Sequence, residues 1–508
     1  MPTVPPRRSV FRPRSTQLAA LRFGPTSAGL LGAVLVLASC AGDPPTGPSD
    51  TTLSPDQAAV SRISVCHRTG SSGVIITVPR PALATHLSHG DYLTSLAVSH
   101  TGDQPDDDTH FHRIGDALDA TRAGRLARGE GRAAACRITI TVAAGNFRGT
   151  STDARGRDLE HFPLMVDVPD LTLRGAMVMQ LDAHGRATGG AVDHVITSLT
   201  PIEPLPFVDE GVVPLIVANG HPGGSAGHGL TVEGFVMRSG WAGLGSGSYG
   251  VLGVRVRRLV IRGNRFEAGF DVPMDLRESS ARIERNHISG TGLCDICLAG
   301  PGDFKVTGNR LMRGALEGIL TTPAIDIPSA PGVEPTIPPA NAVLTAEITN
   351  NEVRDHRRLP VGTGIRIGAV GLGAPDTHGT SRVIILDNLL VNDNFAMMVE
   401  GSFPGERSRG DIDATLGGNV FRQSCQVDLL VGFARHTTSL GLFDDPYMVN
   451  STYRLSLGGD LPFSRAWFSN PAGFGNQLVV DGQTIAHGSR RFFDETSCPA
   501  QTGTAAIR

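Results

Sequence analysis

The chain has 508 residues, of which 19% are charged and 5% aromatic, and it contains 63 glycines. Frequent turns and few large rings favour an all-β fold, and a stacked solenoid can use this length as one body. The net charge of −4 and the pI near 6.5 give no reason to expect nucleic acid as a partner.

Residues 1–39 are predicted to be an export signal. Residues 28–38 form an apolar stretch too short to span a bilayer. The stretch ends in Leu37-Ala38-Ser39-Cys40, which resembles the lipobox of bacterial lipoproteins. This resemblance implies that Cys40 carries a lipid anchor that holds the exported protein in a membrane. The alternative is an ordinary secretory signal. Before the apolar stretch lies a basic region without acids, which contains Arg7, Arg8, Arg12, Arg14 and Arg22.

Two short segments follow the signal. Ala41 stands where an inner-membrane retention signal would have aspartate, so we expect the outer membrane, on its periplasmic or cell-surface side. Residues 40–58 are rich in proline, glycine and serine, which predicts a flexible tether.

Residues 59–100 form a small Cys/His module. It begins Val65-Cys66-His67 and ends His86-Leu87-Ser88-His89-Gly90-Asp91, which resembles a short module of bacterial exported proteins without an assigned activity. On a helical turn His86 and His89 would lie on one face and could hold a metal with Cys66 or His67. The alternative is a helix end, with Gly90 as its left-handed cap.

Six cysteines remain after Cys40, and an even number in an exported chain predicts disulfides. We expect Cys66 to pair with Cys136, tying the module to the first coil, and Cys425 with Cys498 near the end. Cys294 and Cys297 are compatible with a local disulfide, a redox pair or half a zinc site. The candidates are Cys66, Cys136, Cys294, Cys297, Cys425 and Cys498.

Residues 101–508 are predicted to form the main body. Apolar residues at helical spacing indicate a helix over 112–128, and the alternation in 138–142 indicates a strand. Further along, the pattern apolar-x-x-Asn-x-apolar recurs six times, with Asn spacings of 22, 23, 42, 37 and 31. Asparagine suits a corner because it tolerates the left-handed conformation and its amide can bond to the next coil. The corner residues are Asn264, Asn286, Asn309, Asn351, Asn388 and Asn419.

With these motifs the chain resembles the right-handed parallel β-helix proteins of the pectin-lyase-like superfamily, over residues 110–490. The resemblance implies an all-β, right-handed parallel β-helix solenoid, with the helix at 112–128 as its N-terminal cap. It implies no particular activity, because the fold hosts lyases, hydrolases, epimerases and non-catalytic proteins. The longer spacings contain loop-like insertions, which often build the binding face of a solenoid.

Asp271, Asp295 and Glu317 are spaced by 24 and 22 residues, close to the coil period. This spacing predicts three carboxylates stacked along one edge, which could bind Ca²⁺ or hold an acid and a base. The alternative is a row of solvated corner residues. Other candidates for the same chemistry are Asp275, Arg277, Arg285 and His287.

No catalytic motif is complete, so the first hypothesis is a non-catalytic lipoprotein whose β-helix binds polysaccharide or another extracellular partner. The alternative is a lyase or epimerase that acts on uronic-acid glycans through the acidic ladder.

Overall fold

The structure, a computed structural model, describes residues 62–69, 72–99, 107–126, 136–149, 160–201, 213–220, 228–239, 247–323, 341–358, 362–369, 378–400, 409–424, 427–432, 449–458, 466–470, 472–487 and 490–491. Val60–Arg508 form one compact unit. The expected export signal, tether and lipidated Cys40, as well as Cys425 and Cys498, lie outside the described residues. None of the helices within the described ranges is long and apolar enough to cross a membrane.

The N-terminal part contains the helices. Its elements are β1 (Arg62–Thr69), β2 (Ser72–Pro79), a 3-10 turn (Arg80–Ala82), α1 (Leu83–Ser88), β3 (Tyr92–Leu93), β4 (Ser95–Val98), β5 (His110–Phe111), α2 (Ile114–Leu126), β6 (Ile138–Val142), β7 (Gly145–Arg148), β8 (Leu164–Val166), β9 (Leu171–Arg174), β10 (Met179–Leu181), β11 (Ala187–Ala191) and β12 (Thr197–Thr200).

Short strands then repeat. The central ones are β13 (Val213–Asn219), β14 (Thr231–Glu233), β15 (Phe235–Met237), β16 (Ser248–Val254), β17 (Leu259–Arg262), β18 (Arg265–Phe266), β19 (Val272–Arg277), β20 (Ser280–Glu284), β21 (His287–Ser289), β22 (Cys294–Ala299), β23 (Gly302–Thr307), β24 (Arg310–Met312), β25 (Glu317–Thr322), β26 (Asn341–Thr349) and β27 (Glu352–Arg354). The last ones are β28 (Thr363–Gly368), β29 (His378–Leu386), β30 (Leu389–Val391), β31 (Phe395–Glu400), β32 (Arg409–Gly417), β33 (Val420–Arg422), β34 (Val427–Gly432), β35 (Thr452–Ser456), β36 (Ala466–Ser469), β37 (Gln477–Val480), β38 (Gln483–Thr484) and β39 (Arg490–Arg491).

Three long sheets run along the molecule, and each full coil gives one strand to each of them. Sheet I has 14 strands, sheet II has nine and sheet III has 11. In one coil, for example, β17 lies in sheet I, β18 in sheet II and β19 in sheet III. Neighbouring coils pair in parallel, and the antiparallel pairs β37–β38 and β36–β39 lie at the C-terminal end. The fold is a right-handed parallel β-helix, as predicted.

The apolar residues of the repeated motif form the core. Ile261, Ile283 and Val306 occupy the same register on successive strands of sheet I and are fully buried. The β26 strand alternates exposed and buried residues at its start, so one face of each strand points inward. Burial of each such side chain stabilises the fold by about 1.5–3 kcal/mol, and no coil achieves that burial without a neighbour.

The six corner asparagines form one continuous, buried ladder between sheets I and II. From Asn264 to Asn419, each Nδ2 donates to the Oδ1 of the next asparagine, at 3.2 Å for the first link and 3.0 Å for the other four. The backbone N–H of each of the first five donates to the same oxygen. The predicted bonding between coils is therefore present.

The predicted conformation of these asparagines was wrong. The left-handed residue is the one before each asparagine, for example Arg285 (φ 55°) and Asn350 (φ 55°). The corner asparagine contributes its amide, which holds buried backbone groups of two coils, and the tight turn is made by its predecessor.

The N-terminal end is closed by α2, which begins and ends within the predicted helix. Glu160 caps it by accepting hydrogen bonds from the backbone N–H groups of Ile114 (2.6 Å) and Gly115 (3.0 Å). Burial raises the pKa of Glu160 to about 6, although these two bonds oppose the shift. Strand β4, from the region predicted as the small module, pairs with β6 in sheet I.

Candidate functional site

From β12 onward the long connections of the chain flank sheet III, whereas the earlier connection 175–196, which carries the β10–β11 hairpin, joins sheet I to sheet II. From β14 onward, sheet I passes to sheet II through one or two residues, such as 285–286 between β20 and β21. Connections of eight or more residues instead precede or follow sheet III strands, and from β12 onward they comprise 201–212, 220–230, 238–247, 323–340, 355–362, 369–377, 401–408, 433–451 and 457–465. Because insertions on one side of a solenoid often build its binding face, sheet III is the expected binding face.

The buried core residues of sheet III show which of its side chains face outward. Met274, Ile296 and Ile319 share one register and belong to the main core. The residues after them, Asp275, Cys297 and Leu320, therefore point outward. The full outward row is Val217, Leu252, Asp275, Cys297, Leu320, Arg366, Met398, Leu430 and Trp467.

Two buried ion pairs lie on this face. Nε of Arg277 is 3.0 Å from both carboxylate oxygens of Asp275, and its second terminal nitrogen is 2.6 Å from Oδ2. Arg366 donates to Oε1 of Glu317 at 2.8 Å. Side-chain exposure is at most 8% for the first pair and at most 15% for the second. The pairs place fixed donors and acceptors on an otherwise apolar row.

Tyr249 stands beside the first pair. Burial raises the pKa of its hydroxyl strongly, and the negative charge of Asp275 adds to the shift. Burial opposes the charge on Arg277, but Asp275 outweighs it and raises the arginine's pKa. The tyrosine is therefore a neutral hydroxyl at neutral pH, suited to hydrogen bonding rather than to accepting a proton.

The predicted acidic ladder is not formed. In the sheet III register Glu317 lies opposite Cys294, so Asp295 lies opposite Gly318, and Asp271 lies one position before Glu317 and two before Asp295. The three residues follow their corner asparagines by 7, 9 and 8 positions, which are three different places on a coil. They therefore provide no shared set of oxygens for Ca²⁺ along this edge. Asp271 instead accepts the backbone N–H of Gly247 (2.5 Å).

Asp295 points into the solenoid. Its Oδ2 lies 3.0 Å from Nε2 of His356, and Nδ1 of His356 lies 3.1 Å from Oδ1 of Asp393. Thr291 donates to the other oxygen of Asp295. The side chains of Asp295, His356 and Asp393 are all fully buried, so this cluster is closed to a polysaccharide.

His356 carries the positive charge of this cluster. Burial disfavours the charge, but Asp295 and Asp393 outweigh it and raise the pKa of His356 to about 10. The pKa of Asp393 is also raised, in this case by burial, and the hydrogen bond and positive charge of His356 oppose that shift. One imidazolium thus bridges two carboxylates, and the arrangement fits a structural core element.

Sequence reasoning missed His356, although the repeat contained the signal. Thr291, His356 and Asp393 each lie five residues after a corner asparagine, so they stack at the corner between sheets II and III. Counting from the asparagine would have placed all three in one column.

The basic candidates Arg285 and His287 lie away from sheet III. Arg285 is a turn residue between sheets I and II, and His287 belongs to sheet II beneath Gly189 of the β10–β11 hairpin. Burial, with Arg310, Arg265 and Arg313, lowers the pKa of His287 to about 4. The predicted combination of Asp295, Arg285 and His287 in one catalytic site was wrong, because Asp295 is buried inside the solenoid, Arg285 lies in a turn and His287 lies in sheet II.

Two disulfides lie within the described residues, one that links the small module to the start of the first coil and one within a single strand. Cys66 forms a disulfide with Cys136, the pair predicted from the sequence. Cys294 and Cys297 form a disulfide with each other, one of the three alternatives considered, on the outward side of sheet III.

The small module brings together a different histidine pair from the predicted one. His86 lies beside His67 and Asp91, while His89 is exposed at the end of α1 and outside this group. Gly90 has the left-handed conformation (φ 97°) expected of a cap. Cys66 is held in its disulfide, so it has no thiolate to offer a metal.

No protein-family model and no curated protein matches the chain. Among solved structures, tailspike protein 3 of bacteriophage CBA120 is 11% identical over 82% of this chain, with a TM-score of 0.31. This chain spans 65% of the tailspike, which is less than two thirds of its length. A mannuronan C-5 epimerase A-module from Azotobacter vinelandii is 11% identical over 73% of this chain and 86% of its own, with a TM-score of 0.31. An exopolygalacturonase from Thermotoga maritima is 9% identical over 74% of this chain and 91% of its own, with a TM-score of 0.35.

Proposed function

We propose that this protein is an exported lipoprotein of the outer membrane whose sheet III face binds polysaccharide without chemically changing it. The observation that carries the proposal is that the partly exposed Tyr249 and Arg366 lie on sheet III, the sheet whose strands the long connections join, and that Glu317 fixes Arg366 there. Sites for extended ligands combine an apolar floor with a few fixed polar groups, and this face has both.

The ion pairing of the carboxylates favours binding over turnover. Asp275 and Glu317 are each held by an arginine, so their carboxylate oxygens already accept hydrogen bonds from a guanidinium group of the protein. His287 lies in sheet II and His356 inside the core, so neither histidine is on this face. Among the described residues of this face we find no acid and base in a catalytic arrangement.

The lipid anchor is the second part of the proposal, and the sequence around Cys40 supports it. Metabolic labelling with a fatty acid tests it: we expect label in the wild-type protein and none after Cys40→Ser. A wild-type protein without label would contradict the anchor and leave the binding proposal untouched.

Retention of the full-length protein on a panel of neutral and acidic polysaccharides tests the binding. Each incubation is also followed by ultraviolet absorbance for unsaturated uronide and by product analysis for epimerised residues, with calcium or with a chelator. We expect saturable retention on at least one glycan and no product. Product formation would overturn the non-catalytic assignment in favour of a lyase or epimerase, and absence of retention across the panel would overturn the binding proposal.

A further inference from the structure

We propose that His67, His86 and Asp91 form a binding site for one divalent transition-metal ion, with zinc as the reference metal. Nδ1 of His67 lies 3.0 Å, and Nδ1 of His86 2.7 Å, from Oδ2 of Asp91. All three ligand atoms lie within 4.8 Å of one another. In the part of the chain that the structure describes, no other group of three His, Cys, Asp or Glu side chains is this close.

The backbone builds this arrangement from two directions. Strand β1 pairs with β3 in antiparallel register, with Cys66 opposite Tyr92, which places His67 across from Asp91. The left-handed turn at Gly90 brings the chain back on α1, so that the N–H of Asp91 donates to the carbonyl of His86 (3.1 Å). His67, 24 residues before Asp91, and His86, five residues before it, thus converge on the same carboxylate.

The surroundings hold these ligands in place. The Cys66–Cys136 disulfide ties β1 to the strand that opens the first coil. The Tyr92 hydroxyl accepts the N–H of Cys136 (2.9 Å) and contacts its carbonyl at 3.2 Å. A fixed backbone on both sides of His67 and Asp91 is what a preorganised metal site needs.

The ligand spacing fits a metal with short bonds. Zinc bonds of about 2.0–2.1 Å in tetrahedral geometry separate ligand atoms by about 3.3 Å, so only a small opening of the cluster is required. Zinc would bind the Nδ1 atoms that now face the carboxylate, with each neutral imidazole carrying its single proton on Nε2. Two imidazoles and one carboxylate suit zinc, copper or nickel, whereas Ca²⁺ prefers an all-oxygen set.

A metal ion can reach the site from solvent, and water can supply a further ligand there. The side chains are 42% exposed for His67 and 26% for His86, while Asp91 is buried at 3%. Asp91 also lines a cavity of about 600 Å³ between the module and α2, bordered by Tyr92, Leu96 and Phe111. Water in this space can complete the coordination shell.

Calorimetric titration of the full-length protein with Zn²⁺, and separately with Ca²⁺, tests the site. We expect wild-type protein to bind one zinc ion that is lost, or weakened by at least about tenfold, in His67→Gln and in His86→Gln. His89→Gln is the matched control, because His89 belongs to the same module but lies outside the cluster, and it should bind zinc as the wild type does. Added Ca²⁺ should not reduce the binding of zinc to this site.

Thermal unfolding supplies a second readout. Zinc should raise the Tm of wild-type protein and of His89→Gln but not of His86→Gln, because only a folded-state site stabilises by linkage. If His86→Gln does not fold, His67→Gln carries the comparison, since its side chain is the most exposed of the three. Absence of zinc binding in the wild type, or equal zinc affinity in all variants, would overturn the proposal.

Discussion

Two sets of ion pairs on nearby coils of the solenoid differ in burial. The pairs Asp275–Arg277 and Glu317–Arg366 on sheet III, with the His356 cluster at its corner, are almost closed to solvent. Lys305–Glu347 on sheet I is 62% and 43% exposed. Buried charges cost several kcal/mol to desolvate and are tolerated only when fully paired, whereas exposed pairs contribute little. The Asp275–Arg277 pair and the His356 cluster thus lie in or beside sheet III, while the buried Glu352 pairs with Arg310 in sheet II.

Removal of His356 should have the largest effect. In His356→Ala, Asp295 and Asp393 are left as two buried carboxylates without their cation, so we expect the free energy of unfolding to fall by about 5 kcal/mol. Urea denaturation measures it. A loss below about 1 kcal/mol would show that the cluster does not carry the buried charges described here.

Arg277→Ala should cost somewhat less. It leaves one buried carboxylate, Asp275, unpaired, and we expect a loss of about 3 kcal/mol in the same assay. The paired variant Asp275→Asn with Arg277→Gln removes both charges and should be milder, at about 1 kcal/mol. If the double variant were the less stable of the two, the attribution to an unpaired charge would fail.

The pH dependence of the Tm should show the titration of His356. Its folded-state pKa of about 10 lies above the ordinary value of 6.5, so its contribution to stability is complete below pH 6.5 and is lost as the pH rises through 10. We expect the Tm of the wild type to fall over this range more steeply than that of His356→Gln. Parallel curves for the two proteins would contradict a protonated His356 in the fold.

Lys305→Ala should have the smallest effect. Its pair with Glu347 is exposed, so we expect a change of about 0–1 kcal/mol in the free energy of unfolding. A loss as large as that of Arg277→Ala would remove the distinction between the two sets of ion pairs.

The repeated parts of the fold were predictable from the sequence, and the irregular parts were not. Asn264 and its five counterparts recur with the same apolar neighbours, so their ladder follows from pattern alone. Asp295 could not be placed by its spacing to Asp271, because the two residues follow their corner asparagines by different numbers of positions, and only Asp295 is held by the buried Thr291 and His356. His67 and Asp91 meet through strand pairing and a glycine turn, and neither is periodic.

The central claim is that sheet III, and no other face, binds glycan. It is tested most directly by the dissociation constant for a glycan that the wild type retains, measured in two charge-neutralised double variants that differ in face. Glu317→Gln with Arg366→Gln should weaken binding by about tenfold or more, while Lys305→Gln with Glu347→Gln on sheet I should leave it within about twofold. Equal affinity in the two variants, or a loss confined to the sheet I variant, would contradict the assignment of the binding face.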